Sequence, residues 1–299
     1  HMISLKRFMK VGSVIVGLMV SVFTVSSAAN PDNLYGRHAE GKNGVVAAAN
    51  PEASKIGVEV MKKGGNAVDA AVATAFAISV FEPNASGIGG GGFMLIRMAK
   101  TGKTVVIDYR EKAPAKATPD MFVLDENGKV VNDEITVGGK ASGVPGTVAG
   151  LLTALEKYGT MKRADVMAPA IKHAGEGIIV SKNLEGIIQD NYEKLVKFDA
   201  ASEVYLKDGL PYEAGDRLVN KDLAATLTKI SKEGKKAFYE GEIAKKIADE
   251  VQKQGGLMTV EDLKNYTIEE REPVVGKYRD YTIISCPPAS SGGTHIVQL

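Results

Sequence analysis

The sequence has 299 residues, with 37 Lys and Arg against 36 Asp and Glu, and 44% of it is apolar. A charged fraction of 24% is that of an ordinary globular chain and excludes wholesale disorder. The balanced charge removes any electrostatic reason to expect nucleic acid or an anionic surface as partner.

His1-Met2 reads as a cloning scar and is set aside. Lys6, Arg7 and Lys10 precede an uncharged apolar stretch, Val11 to Val25, which ends in Ser-Ser-Ala-Ala. That order is a secretory signal peptide over residues 1–29, cleaved after Ala29, and it predicts export to the periplasm or the medium. An uncleaved anchor is the alternative, although the stretch is short for a membrane span of about 20 residues. Residues 30–299 then read as one α/β domain, in which the helical 150–270 region forms a lobe.

Val45–Ala49 has the length and apolarity of a strand and is halted by Asn50-Pro51. Pro51 suits the first turn of a helix running to Lys63, where Gly64-Gly65 ends it. Asn66 caps a second helix, Ala67–Phe81, which is apolar on nearly every side and is expected to be buried. Phe93–Met98 and Thr104–Tyr109 follow as a hairpin. Leu151, Leu152 and Leu155 mark a helix ending at Tyr158-Gly159. Leu223, Leu227 and Ile230, and then Ile243, Ile247 and Val251, recur at helical spacing. Val274-Val275 and Tyr281–Ser285 read as strands about a turn at Arg279-Asp280, and Gly292–Leu299 as a helix that has just begun, so the chain looks unfinished.

Several tempting motifs fail on context. Gly87-Ile-Gly-Gly-Gly-Gly92 satisfies G-x-G-x-x-G, but a dinucleotide site needs a strand before the glycines and a helix after them, and here the order is reversed. The glycines instead offer backbone that another segment can approach, either as a tight connection or as a wall beside a site. Gly102-Lys103-Thr104 ends like a phosphate loop, yet Arg97 stands where its first glycine belongs. His38, His173 and His295 are scattered and Cys286 is the only cysteine, so no metal-ligand cluster is visible. Cys286 closes a strand against Pro287-Pro288 and reads as a buried small hydrophobe rather than a reactive thiol. Ser290 or Ser291 with His295 would make a triad only on paper, since no G-x-S-x-G elbow accompanies them. The stiff, hydroxyl-rich Pro287–His295 segment is either an anion-holding helix start or a plain capped N-terminus. Asp108-Tyr-Arg-Glu111 lies where a strand ends, a common place for functional side chains. The fork of Arg110 matches a carboxylate, although simple pairing with Glu111 is the ordinary role for such a residue.

Taken in order, Gly64–Ala71, Ser86–Phe93, Asp108–Glu111, Ala141–Gly150, Tyr158-Gly159-Thr160, Gly255–Thr259 with Asp262-Leu263, and Pro287–His295 resemble the γ-glutamyltranspeptidases, or glutathione hydrolases. The resemblance spans about residues 45 to 299. It implies an N-terminal-nucleophile hydrolase fold, a four-layer αββα sandwich, of which this chain is the large-subunit part. It further implies a precursor that cleaves itself, a small subunit as partner, and a new N-terminal Thr that takes the γ-glutamyl group from glutathione or a similar amide. Water or an amino-acid or peptide amine then receives that group, with no metal or organic cofactor. Matched residue by residue, Arg110 would bind the substrate α-carboxylate, with Glu111 in support. No Thr-Thr pair occurs in the sequence, so the nucleophile is expected downstream of Leu299 and the isolated chain is expected to be inactive. Two rival readings stay open: an acylase of the cephalosporin or poly-γ-glutamate type, and a truncated, non-catalytic product.

Overall fold

In the computed structural model of the protein, residues 38–299 are described; the signal-peptide reading of residues 1–29 lies outside them. Helix α1 (Pro51–Lys62) starts where expected, with the Asn50 side chain accepting from the N–H groups of Glu52 and Ala53. Helix α2 (Ala67–Phe81) opens on a capping box: Asn66 Oδ1 accepts from the backbone of Val68 and Asp69, while the Asp69 carboxylate accepts from Asn66 N–H. Its apolar circumference is buried against α1, α3 (Thr147–Tyr158) and α4 (Arg163–Glu176).

Strands β1 (Phe93–Arg97) and β2 (Thr104–Asp108) pair antiparallel, and β2 pairs on its other side with β7 (Glu269–Arg271), giving the order β1-β2-β7. Successive residues of a strand face opposite sides. Val105 and Ile107 accordingly join the helical core, with Ile96 opposite Val105. Val106 and Asp108 are buried on the other face, where Arg271 lies opposite Val106.

The region after residue 150 is helical, as the spacing predicts. It comprises α5 (Lys182–Asp190), α6 (Tyr192–Leu195), α7 (Asp199–Tyr205), α8 (Lys221–Glu233), α9 (Lys236–Tyr239), α10 (Gly241–Lys253) and α11 (Val260–Lys264). Short two-residue pairs interrupt it: β3 (Ile178–Ile179) with β6 (Arg217–Leu218), and β4 (Leu206–Lys207) with β5 (Leu210–Pro211). Hairpin β8 (Val274–Tyr278) and β9 (Tyr281–Ser285) follows, with α12 (Gly292–Gln298) against it, and Val297 occupies the space a side chain at Gly276 would need. Residues Val46–Leu299 make one compact unit. None of the helices among the described residues is long and apolar enough to cross a membrane.

One expected strand does not form. Residues 45–49 are irregular, and Val46 spends its side chain packing beside Gly57 of α1 instead of pairing with a neighbour.

Candidate active site

The glycine-rich loop connects α2 to β1, helix before strand, so its shape serves something other than a dinucleotide. None of Gly89 to Gly92 adopts positive φ, and close approach is what demands glycine here. A Cβ on Gly91 would sit 2.5 Å from the Tyr109 carbonyl oxygen and 2.8 Å from the Glu111 nitrogen; one on Gly92 would sit 3.2 Å from the Tyr109 ring. Two more glycines crowd the same tyrosine: a Cβ on Gly146 would strike the Tyr109 carbonyl and the Tyr266 hydroxyl, and one on Gly150 would strike the Tyr109 ring. Tyr109 is thus the peg around which three segments close, and burial pushes its phenol up to about 12.

The main chain is held at Tyr109, Arg110 and Lys112. Tyr109 exchanges backbone hydrogen bonds with Gly92, its N–H donating at 2.9 Å and its carbonyl accepting at 3.3 Å. Lys112 does the same with Val144, at 3.2 and 2.8 Å. Gly90 O accepts from the N–H groups of Gly146 and Thr147, which draws the glycine loop onto the start of α3. Between these anchors lies Arg110, whose N–H donates to Asp108 Oδ1 at 3.1 Å and whose carbonyl accepts from the Tyr266 hydroxyl at 2.8 Å.

The Arg110 side chain points away from this lattice and is 59% exposed. Its recorded partner is Glu111, Nη1 to Oε2 at 3.6 Å, an exposed contact of a kind worth little in water. The pairing of Arg110 with Glu111 exists, but it is loose and leaves most of the guanidinium donors free. Glu111 itself lies between Gly90 and Gly143.

The remaining sequence candidates lie elsewhere. His173 packs on the Phe81 ring with centroids 5.0 Å apart, and His295 is exposed on α12, where its backbone N–H donates to the Ser291 carbonyl. The described residues contain no group of three or more His, Cys, Asp or Glu that could hold a metal ion. Cys286 is half-buried rather than buried; burial and the Asp108 carboxylate raise its thiol pKa, which disfavours the reactive thiolate. At the start of α12, Gly293 is pressed against the Cys286 main chain and Ser290 Oγ accepts from Gly292 N–H at 3.4 Å. The Pro287–His295 segment is thus a packed, loosely capped helix start. Sequence reasoning missed Tyr266 and Arg271 altogether. They lie more than 150 residues beyond Arg110, and no local spacing marks them.

Gly91→Ala is expected to lower stability by about 2 kcal/mol, because backbone on both sides leaves a new methyl nowhere to go. Gly89→Ala, with open space around it, should change stability by less than ~1 kcal/mol. Urea denaturation of the two variants makes the comparison.

The solved structures that superpose on this chain are hydrolases of the N-terminal-nucleophile fold, and this chain shares that fold. A solved γ-glutamyltranspeptidase from Helicobacter pylori superposes with a TM-score of 0.84 at 46% identity, over 87% of this chain and 74% of that one. A cephalosporin acylase from Bacillus halodurans superposes with a TM-score of 0.75 at 30% identity, over 84% of this chain and 47% of that one. The Gamma-glutamyltranspeptidase family model matches residues 53–299, and the chain belongs to that family. The glutathione hydrolase proenzyme of Bacillus subtilis (strain 168) is 49% identical over 278 residues, covering 92% of this chain and 47% of that protein. The chain therefore spans about half the length of the curated relatives it matches.

Proposed function

We propose that this chain is the large-subunit part of an exported γ-glutamyltransferase and glutathione hydrolase, and that Arg110 binds the α-carboxylate of the γ-glutamyl substrate. The observation that carries the reading is the guanidinium of Arg110, exposed and loosely paired above a main chain pinned on every side. A carboxylate held by that fork would place the far carbonyl of a γ-linked substrate at a set distance, which favours attack there. The attacking hydroxyl, in this reading, is a Thr supplied by a small subunit of the same precursor, so the acyl group passes to Thr and then to water or an amine.

The full-length protein should turn over a γ-glutamyl anilide and largely reject the 4-aminobutyryl anilide, which lacks only the α-carboxylate. Residues 30–299 alone should turn over neither. Equal rates on the two substrates would refute carboxylate recognition and favour the acylase reading, which the superposition on a cephalosporin acylase keeps in view.

A further inference from the structure

We propose that Tyr266 and Asp108 are positioning residues for Arg110, acting as a clamp on its peptide groups that sets where the guanidinium stands. The inference rests on the carboxylate-binding role of Arg110 proposed above, and it assigns the geometry of that role to two side chains that need not touch the substrate.

Arg110 lies two residues beyond the end of β2, past the point where the ladder to β7 ended at Asp108 paired with Glu269. Its N–H and carbonyl consequently have no strand partner, and each is satisfied by a side chain instead. Asp108 supplies the acceptor for the N–H through Oδ1. Its other oxygen, Oδ2, accepts from Arg271 Nε at 2.7 Å, and Arg271 Nη2 lies 2.9 Å from Glu269 Oε2. Asp108 and Arg271 share the face opposite the helical core, so the pair fastens the end of β2 to β7 just where Arg110 begins. An Asp with one oxygen fixed by a charged partner has little freedom to swing the other.

Tyr266 closes the second side. Its ring stacks on Tyr239, with centroids 5.6 Å apart and planes 10° apart, and Lys112 Nζ lies 5.4 Å from its centroid. Tyr239 is anchored in turn, its hydroxyl donating to Pro145 O at 2.9 Å and accepting from Ala149 N–H at 3.2 Å. The Tyr266 hydroxyl therefore reaches Arg110 O from a ring that is held on its own account. Burial and the nearby carboxylates of Asp108, Glu111 and Glu269 raise its pKa, which keeps the phenol protonated and donating. Both peptide groups of Arg110 are thereby tied to packed elements, while its side chain keeps only the loose Glu111 contact. A fork that must meet a planar anion with two parallel bonds gains from a fixed root, since less freedom is lost on binding.

The test uses the full-length protein and a γ-glutamyl anilide. Tyr266→Phe keeps the ring stack and deletes only the hydroxyl. It should lower kcat/KM about fivefold through KM, with kcat within about twofold. Asp108→Asn, close in shape but uncharged, should act in the same direction, with melting curves to show that the protein is folded. In an Arg110→Ala background, Tyr266→Phe should have almost no further effect, because there is no fork left to position. Destabilisation alone would instead persist in that background, and that result would overturn the proposal. An unchanged KM in Tyr266→Phe would overturn it too. If Arg110→Ala itself leaves KM unchanged, the carboxylate reading has failed and this inference falls with it. If Arg110→Ala raises KM while the two clamp variants do not, only the clamp is wrong.

Discussion

Asp69→Ala should cost the folded protein about 4 kcal/mol, the largest stability loss expected from a single polar substitution here. Asp69 is fully buried, and its carboxylate is the common acceptor for backbone N–H groups from two separate stretches of the chain. Asn66 N–H donates to Oδ2 at 2.7 Å, Thr160 N–H to Oδ1 at 2.9 Å, and Met161 N–H to Oδ1 at 3.0 Å, while the Thr160 hydroxyl donates to Oδ2 at 2.6 Å. Alanine would take the acceptor from donors on the half-buried Asn66 and Met161 and the exposed Thr160, each at a cost of roughly 1–3 kcal/mol, with water and partial relaxation returning some of it. The Asn66 side chain reaches the same joint from the other side, its Nδ2 donating to Tyr158 O at 2.7 Å. The start of α2 and the end of α3 would therefore come apart together. Thermal unfolding measures this, and a midpoint within a few degrees of the parent would contradict it.

The same carboxylate makes a pH prediction. Burial raises the Asp69 pKa, but the hydrogen bonds from Thr160, Met161 and Asn66 outweigh it and the net shift is downward. A depressed folded-state pKa means that the contribution is fully present above the unfolded value of about 3.9 and is lost as pH falls through the lower folded value. Parent stability should thus drop more steeply on acidification than that of Asp69→Asn, which has no charge there to lose. Parallel slopes would remove Asp69 from the account.

The largest effect on activity is expected at Arg110. In the full-length protein, Arg110→Ala should raise KM for a γ-glutamyl anilide about a hundredfold, and Arg110→Lys about tenfold, with kcat changed far less. Lysine keeps the charge and loses the planar fork, so the gap between the two variants separates attraction from bidentate fit. Because the Glu111 contact is exposed and 3.6 Å long, little is lost within the protein itself when the guanidinium goes, and the melting temperature should hardly move. Unchanged KM in both variants would discard the assignment, whatever the turnover number did.

Several segments that carry the family resemblance turn out to be joints of the fold. Asp69, within Gly64–Ala71, binds Thr160 of the Tyr158-Gly159-Thr160 stretch, and a Cβ on Gly159 would lie 2.6 Å from its Oδ1. Gly256 is pressed against Gly139. Thr259 and Asp262 make a capping box on α11, and Asp262 Oδ1 accepts from Ala115 N–H at 2.8 Å. A substitution at such a point disturbs two elements at once.

The Asn50 and Asn66 caps, the 3.6-residue stripes of α3, α8 and α10, and the β1–β2 hairpin all follow from interactions within a few residues. The paired segments β3 to β6 are two residues long, too short to show any period, and β7 is Glu-Glu-Arg, with no apolar residue to announce a strand. The 45–49 run shows the converse, an apolar pattern left without a neighbour to bond. The amino-acid sequence alone determined the main helices, the family and the candidacy of Arg110. Tertiary structure alone decided which glycines touch Tyr109, and that Asp108, Arg271 and Tyr266 meet at Arg110. The Tyr266 and Arg271 contacts join residues more than 150 positions apart, and the energies of all these contacts depend on backbone approach and burial, which no spacing along the chain encodes.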